Sequence, residues 1–379
     1  MKKIKESIKE IELADISNKL PDIIPLKCKR EFSGKVYDIF FCALGFEERC
    51  LFIPKKIGDT KNFKCKHAIY FKYSTNKKDN KDNKERLTNA FEKFADHYEP
   101  LLCDVDDFTK NLRNFLSQIV KDQEKPKIIF DISSCSSKLL LSVLKILFEF
   151  DIYLHIVYSE AATYHPTSEE FEKEPEKWTT EEGFGIAIGV GKVISSPEHP
   201  GTQKENPDII IAFPTFKPER TKAIITYIDE ALSIRHKKRI IWIVGDPHMD
   251  DETKKKRKEI IRKINKISEE VPYYEICTLN YKKTLEILEQ IYKKHNIDFH
   301  INISALGSKM QSLGISLFCH IRPEASVYLA VPKEWNPNQY SEDCAGTWQI
   351  KFGDVTNIKS ILGKVGQLEI MKVEINEKI

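Results

Sequence analysis

Asn302-Ile303-Ser304-Ala305-Leu306-Gly307-Ser308-Lys309 has an earlier counterpart in the chain, Asp131-Ile132-Ser133-Ser134-Cys135-Ser136-Ser137-Lys138. Each opens with an acid or its amide followed by Ile-Ser, passes through small residues and closes on Ser-Lys. Ser133 and Ser304 stand 171 positions apart, as do Lys138 and Lys309, so the register holds without a gap. Each stretch follows a β-rich apolar run (127–130 and 297–301) and opens a helix-like run. A strand passing through a tight turn into a helix, twice at one long period, predicts a duplicated α/β chain rather than a solenoid.

Outward from these turns the elements alternate in the same order. The first half predicts strands over 36–43, 67–73, 101–105 and 152–158, with helices to about 57, to about 97 and over 108–120. The second half predicts strands over 208–213, 239–245, 273–278 and 325–331, with helices over 251–267 and 281–294. Glycine- and apolar-rich tails, 183–193 and 346–355, end the halves as extra strands. Alternation without repeated hairpin signals points to parallel sheets, one per half. The expected organisation is an N-terminal helix and connector over 1–33, a first Rossmann-like domain over 34–195, a proline-containing linker over 196–207, and a second Rossmann-like domain over 208–379. Duplicated halves most simply pack as an intramolecular pseudo-dimer, which brings the matching turns towards a common axis.

Composition narrows the function classes. The 379 residues are 41% hydrophobic and 31% charged, an ordinary globular balance, and the net charge of +3 gives no global basic footprint for nucleic acid. Nine cysteines occur without a C-x-x-C pair, which reads as reduced thiols rather than a disulfide framework or zinc site. The N-terminus leads into no apolar h-region and no apolar run reaches membrane-spanning length, so the expectation is a cytoplasmic protein away from membranes. The chain has no P-loop, G-x-G-x-x-G or G-x-S-x-G. Asp246 and His248 lack a second histidine at ligand spacing, so neither metal nor cofactor is expected.

The chemistry sits at the strand ends. In a doubly wound sheet ligands bind beyond the carboxyl ends of strands, and helix N-termini favour anions. Ser133, Ser137 and Lys138 would hold one phosphate, and Ser304, Ser308 and Lys309 another, with Gly307 allowing close backbone approach. The alternative is plain helix capping, worth about 1 kcal/mol, although a cap needs no lysine after it. The first turns also repeat: Gly45-Phe46-Glu47-Glu48-Arg49 and Thr215-Phe216-Lys217-Pro218-Glu219-Arg220 share Phe, Glu and Arg with one residue inserted. Either the phenyl rings stack on a base while Arg49 and Arg220 contact phosphate or base edges, or the Glu–Arg pairs are structural. Arg86 and Arg257 match at the same period but read as solvated faces of charged helices. Tyr158, Glu160, Tyr164 and His165 follow the last strand of the first half, where they either close over a nucleobase or pack in a loop.

These turns resemble the Asp-x-Thr-Gly-Gly-Thr-Lys turn of CRISPR-associated Rossmann-fold (CARF) domains. Gly307-Ser308-Lys309 is similar to the family's Gly-Thr-Lys, whereas Ser136-Ser137-Lys138 lacks the glycine. Two CARF-like units in one chain are similar to the SAVED domains of antiphage systems. The resemblance implies units paired about a two-fold axis that bind a nucleotide or cyclic oligonucleotide at strand ends. Lys138 and Lys309 would neutralise phosphate, the serines would donate hydrogen bonds, and Phe46 and Phe216 would stack. It further implies a signal passed to a partner protein in prokaryotic antiviral defence. Two alternatives stand beside this sensor. One is a metal-independent phosphodiesterase of the ring-nuclease kind. The other is a nucleic-acid-binding or scaffold subunit using the Lys-rich stretches 76–86 and 254–258.

Overall fold

The computed structural model describes residues 17–74, 80–122, 124–175, 187–202, 205–234, 236–247, 252–335 and 341–364. A two-residue strand, β1 (Ile24–Pro25), precedes β2 (Val36–Leu44), which is buried from Ile39 onwards, as the apolar run IFFCAL requires of a strand covered on both faces. The chain continues through α1 (Phe52–Gly58), β3 (Lys64–Lys72), α2 (Asn80–Phe91), β4 (Ala95–Leu102), α3 (Phe108–Asp122), β5 (Lys127–Asp131), α4 (Ser137–Leu147) and β6 (Tyr153–Glu160). Next come β7 (Thr163–Tyr164), the short helix α5 (Ser168–Lys173) and β8 (Ala187–Ser195).

The second half runs β9 (Asp208–Ala212), α6 (Pro218–Ile228), β10 (Ile240–Asp246), α7 (Glu252–Ile264), β11 (Tyr273–Cys277), α8 (Tyr281–His295), β12 (His300–Ser304), α9 (Lys309–Ile321) and β13 (Ser326–Trp335). It closes with β14 (Ser341–Glu342) and β15 (Gly346–Asp354).

The fold is mixed α/β, with two parallel-dominated sheets of Rossmann-like character. One sheet has the order β1-β15-β6-β5-β2-β3-β4 and the other β11-β10-β9-β12-β13-β8. The five parallel strands of each sheet follow the same path, two outward from the first strand and then two on its other side. The expected tail strands form, but each joins the opposite half. β8 pairs antiparallel with β13, from Tyr328↔Ser195 to Trp335↔Ala187, and β15 pairs antiparallel with β6. Thus residues 187–195, expected within the first unit, complete the second sheet, and residues 346–354 complete the first.

One strand lies elsewhere than expected. The third strand of the first half begins at Ala95, where the sequence suggested helix. Its residues ADHYEPLL form an exposed edge and carry none of the apolar alternation that identifies a buried strand.

The halves meet through the helices that open at the two Ser-Lys turns. In α4, Leu139, Leu140, Leu141, Val143, Leu144, Ile146 and Leu147 are all buried, and α9 is buried from Met310 to Cys319. A helix apolar all round needs cover on every side. Each of these two packs on its own sheet and on the other helix, within one continuous apolar core drawn from both halves. Their contact includes a hydroxyl pair, Ser312 Oγ to Ser137 Oγ at 3.3 Å. Gly314 lets α9 approach α8, since a Cβ there would lie 2.7 Å from the Tyr281 carbonyl oxygen.

Candidate functional site

A cavity of about 740 Å3 opens at the carboxyl ends of the second sheet's strands. The turn after β9 supplies Thr215, Phe216, Lys217 and Arg220, the turn after β12 supplies Leu306 to Lys309 and Gln311, and β10 ends there at Gly245. The first half contributes the other wall: Arg49, Tyr158, Glu160 and the segment from Ala162 to Glu172. Six cationic side chains and three carboxylates line it, so the balance favours an anionic guest.

The α9 terminus is built by its sequence. Ser308 caps the helix: its Oγ accepts from the Gln311 amide at 3.1 Å, while the Gln311 side-chain oxygen accepts from the Ser308 amide at 2.8 Å. This is a capping box, legible as Ser-x-x-Gln. The same hydroxyl donates to the Thr278 carbonyl at 2.6 Å, so Ser308 is fully engaged as a cap. Gln311 is 2% exposed, and its Nε2 has no partner among the described residues. A buried amide N–H left unbonded costs roughly 1–3 kcal/mol, which a ligand oxygen would recover.

Lys309, the first helical residue, lines the cavity beside that amide and makes no hydrogen bond or ion pair among the described residues. Burial, reinforced by the nearby Arg49 and Arg220 charges, lowers its pKa to about 8. An anion at the helix N-terminus would relieve both effects. Burial also lowers Lys217.

The remaining wall carries Arg257, which the sequence suggested was solvated. Its guanidinium lies 4.4 Å from the Phe216 ring centroid and 5.2 Å from that of Tyr164, and it donates to the carbonyls of Tyr164 (2.6 Å) and Pro166 (3.1 Å). Burial lowers its pKa to about 10. One face of the expected stacking ring therefore already carries a guanidinium, which ties the 163–172 segment to α7. Lys256–Glu172 at 3.1 Å and Phe171, packed with Ile260 and Ile264, complete that tie. Arg86, by contrast, is solvent-exposed and pairs with the exposed Glu48 at 2.6 Å.

Of the residues marked from sequence, Arg49, Thr215, Phe216, Arg220, Gly307, Ser308 and Lys309 line this cavity. Gly45, Phe46, Ser133, Ser137, Lys138 and Ser304 do not. Ser133 is fully buried: its hydroxyl donates to Asp131 Oδ1 and accepts from the Ser159 amide at 2.8 Å. Ser137 faces Ser312 between the helices, and Lys138 lies near Cys103. Gly45 and Phe46 offer their carbonyls to Asn83 Nδ2, both at 3.0 Å. Ser304 is buried at the end of β12.

The helix starts explain part of this difference. The caps are Ser136 and Ser308, one residue out of step with the sequence register, so Lys138 is the second helical residue where Lys309 is the first. Of the two lysines only Lys309 lines the cavity. Sequence reasoning missed Gln311, for which the capping-box spacing was the available signal, and Lys217 and Gly245, for which there was none. Among the described residues no group of three or more His, Cys, Asp and Glu is placed to hold a metal ion, and His248 lies outside them. No helix among the described residues is long and apolar enough to cross a membrane.

No family model and no curated protein matches the chain. Among solved structures it is similar to the adenylation, ketoreductase and pseudo-Asub multidomain structure of a keto acid-selecting NRPS module. The identity is 12% over 79% of this chain and 29% of that one, with a TM-score of 0.18. The chain thus spans under a third of that protein, and a likeness this weak carries no argument.

Proposed function

We propose that the protein binds a phosphate-bearing nucleotide or cyclic oligonucleotide in this cavity and passes the binding signal to a partner protein, in keeping with the CARF-like turns. The observation that carries the reading is the pair of unsatisfied donors at the α9 N-terminus, the Lys309 ammonium and the buried Gln311 Nε2. Both face a cavity whose volume falls in the range usual for small-molecule sites, about 300–1,000 Å3. Arg220 and Lys217 add charge from the neighbouring turn, and Tyr158, Tyr164 and Phe216 supply apolar ring surface for a base. We read the two halves as a pseudo-dimer. The exchange of β8 and β15, the packing of α4 on α9 and the β7–β14 pairing all support that view. The antiviral setting rests on the resemblance of the turns.

The test is a thermal-shift and calorimetric panel of nucleotides and cyclic oligonucleotides on the wild type and on Lys309→Ala. A ligand at 100 times its dissociation constant should add about 2.7 kcal/mol of stability, and Lys309→Ala should abolish the shift while remaining folded. A panel without any shift on folded wild type would reject the reading.

A further inference from the structure

We infer that Arg257 holds the guest of this cavity and the strap 163–172 with one guanidinium, so that occupancy is read out as a firmer strap. The inference rests on the anion-binding reading above and adds how binding there reaches a partner protein.

The strap belongs to the first half but covers the second. β7 and α5 follow β6, reach across to α7 and form part of the cavity wall. Little within the strap holds it in place. α5 has six residues and a Thr167–Glu170 capping box, and the Phe171 and Glu174 amides donate to the Thr167 and Glu170 carbonyls at 3.0 and 3.3 Å. A helix this short keeps its shape through tertiary contacts. Three of them reach α7: Phe171 packs on Ile260 and Ile264, Lys256 pairs with Glu172 at the surface, and Arg257 donates to the carbonyls of Tyr164 and Pro166. An exposed ion pair is worth about 0–1 kcal/mol, so Phe171 and Arg257 are the principal ties.

Of those two only Arg257 lines the cavity. Both of its bonds to the strap come from Nη1, and its Nε and Nη2 donate to nothing among the described residues. The field of Glu170 already meets part of its charge; what these N–H groups lack is an acceptor. The fork of Nε and Nη2 matches a pair of phosphate oxygens, and the Phe216 and Tyr164 rings hold the guanidinium in place. The strap carries the effect onward. Thr163 and Tyr164 pair with Glu342 and Ser341 of β14, and Ser341 donates to Glu47, the partner of Arg49 at 2.8 Å. Strap order is therefore tied to both halves. Such coupling is reciprocal: what the strap gains from the guest, the guest gains from the strap.

The test follows amide hydrogen exchange in the full chain with and without inorganic pyrophosphate, beside calorimetric titration of the same ion. In wild type, saturating pyrophosphate should slow exchange of the strap amides, those of Phe171 and Glu174 among them, at least fivefold. Arg257→Lys keeps the charge but offers a single nitrogen. It should weaken pyrophosphate at least fivefold and, at saturation, lose the slowing. Phe171→Ala touches no part of the cavity and loosens the strap from behind. It should weaken pyrophosphate at least threefold in the wild-type background and leave the affinity of Arg257→Lys unchanged. Wild-type affinity in Arg257→Lys would make Arg257 a structural tie alone and overturn the inference. So would slowing that survives in Arg257→Lys, or wild-type affinity in Phe171→Ala. Should Arg257→Lys lose its thermal transition, wild-type exchange and Phe171→Ala still decide it. Pyrophosphate bound to wild type without slowing would reject the inference and leave the anion-binding reading standing; no binding to wild type would reject both.

Discussion

Replacing Lys309 with methionine should make the ligand-free protein more stable. The lysine's pKa falls from 10.5 to about 8 on burial beside Arg49 and Arg220. At about 1.4 kcal/mol per tenfold change in acidity, its charged form is disfavoured by roughly 3 kcal/mol. Solvent on the cavity side screens part of this, so about 1–2 kcal/mol is the expected cost at neutral pH. Methionine keeps the stem packing and discards the charge, so Lys309→Met should raise the melting temperature by a few degrees while abolishing anion binding.

The pH dependence supplies the check. Between about pH 8 and the ordinary lysine value near 10.4, the unfolded chain holds this proton and the folded chain does not. Wild-type stability therefore climbs across that interval, and the gap to Lys309→Met closes. Urea midpoints of both proteins at pH 7 and pH 9.5 measure it. Anion affinity should fall over the same range, because the amine loses the charge that binds. A variant less stable than wild type at pH 7, or a gap that ignores pH, would mean that Lys309 is already compensated inside the fold, and the argument for a ligand there would fail.

Two further outcomes follow from the geometry. A Cβ at Gly307 would lie 2.5 Å from Gln311 Oε1 and 3.0 Å from Phe213 Cδ1, so Gly307→Ala must dislodge the Gln311 amide. It should cost about 1 kcal/mol of capping and at least tenfold in phosphate affinity, read by thermal melting and calorimetry; unchanged affinity would remove Gln311 from the site. Burial raises the Asp131 pKa to about 7, against the lowering effect of its bonds from Ser133. The folded state then holds a proton that the unfolded chain loses near pH 4, so stability falls as pH rises from about 4 to about 7. Asp131→Asn, the amide that the second half carries as Asn302, should flatten that slope and be the more stable protein at pH 8; parallel melting profiles at pH 5 and pH 8 would refute the assignment.

The sequence determined the architecture through local signals. Apolar runs of β-rich residues ending in Ser-Lys turns specify strand, turn and helix wherever they occur, and their recurrence at one period announced two Rossmann-like halves. It left Ser308 open between phosphate donor and helix cap, and it made the first copy the more doubtful site, since Ser136 stands where the second copy has Gly307. It did not determine β4, whose exposed edge needs no apolar pattern, nor that β8 and β15 change places, because strand pairing is a long-range choice that propensity does not encode.

Only the tertiary structure decided which marked residues share a site. Lys309 lines the cavity and Lys138 does not, although both close a Ser-Lys turn at the same register. Glu47 and Arg49 cancel each other only once folding buries them together. Arg257, one cation among many in a lysine-rich helix, becomes part of the wall only because Tyr164 crosses from the other half to cover it. Burial and charge balance are properties of neighbours in space, and the linear order of residues leaves those neighbours unnamed.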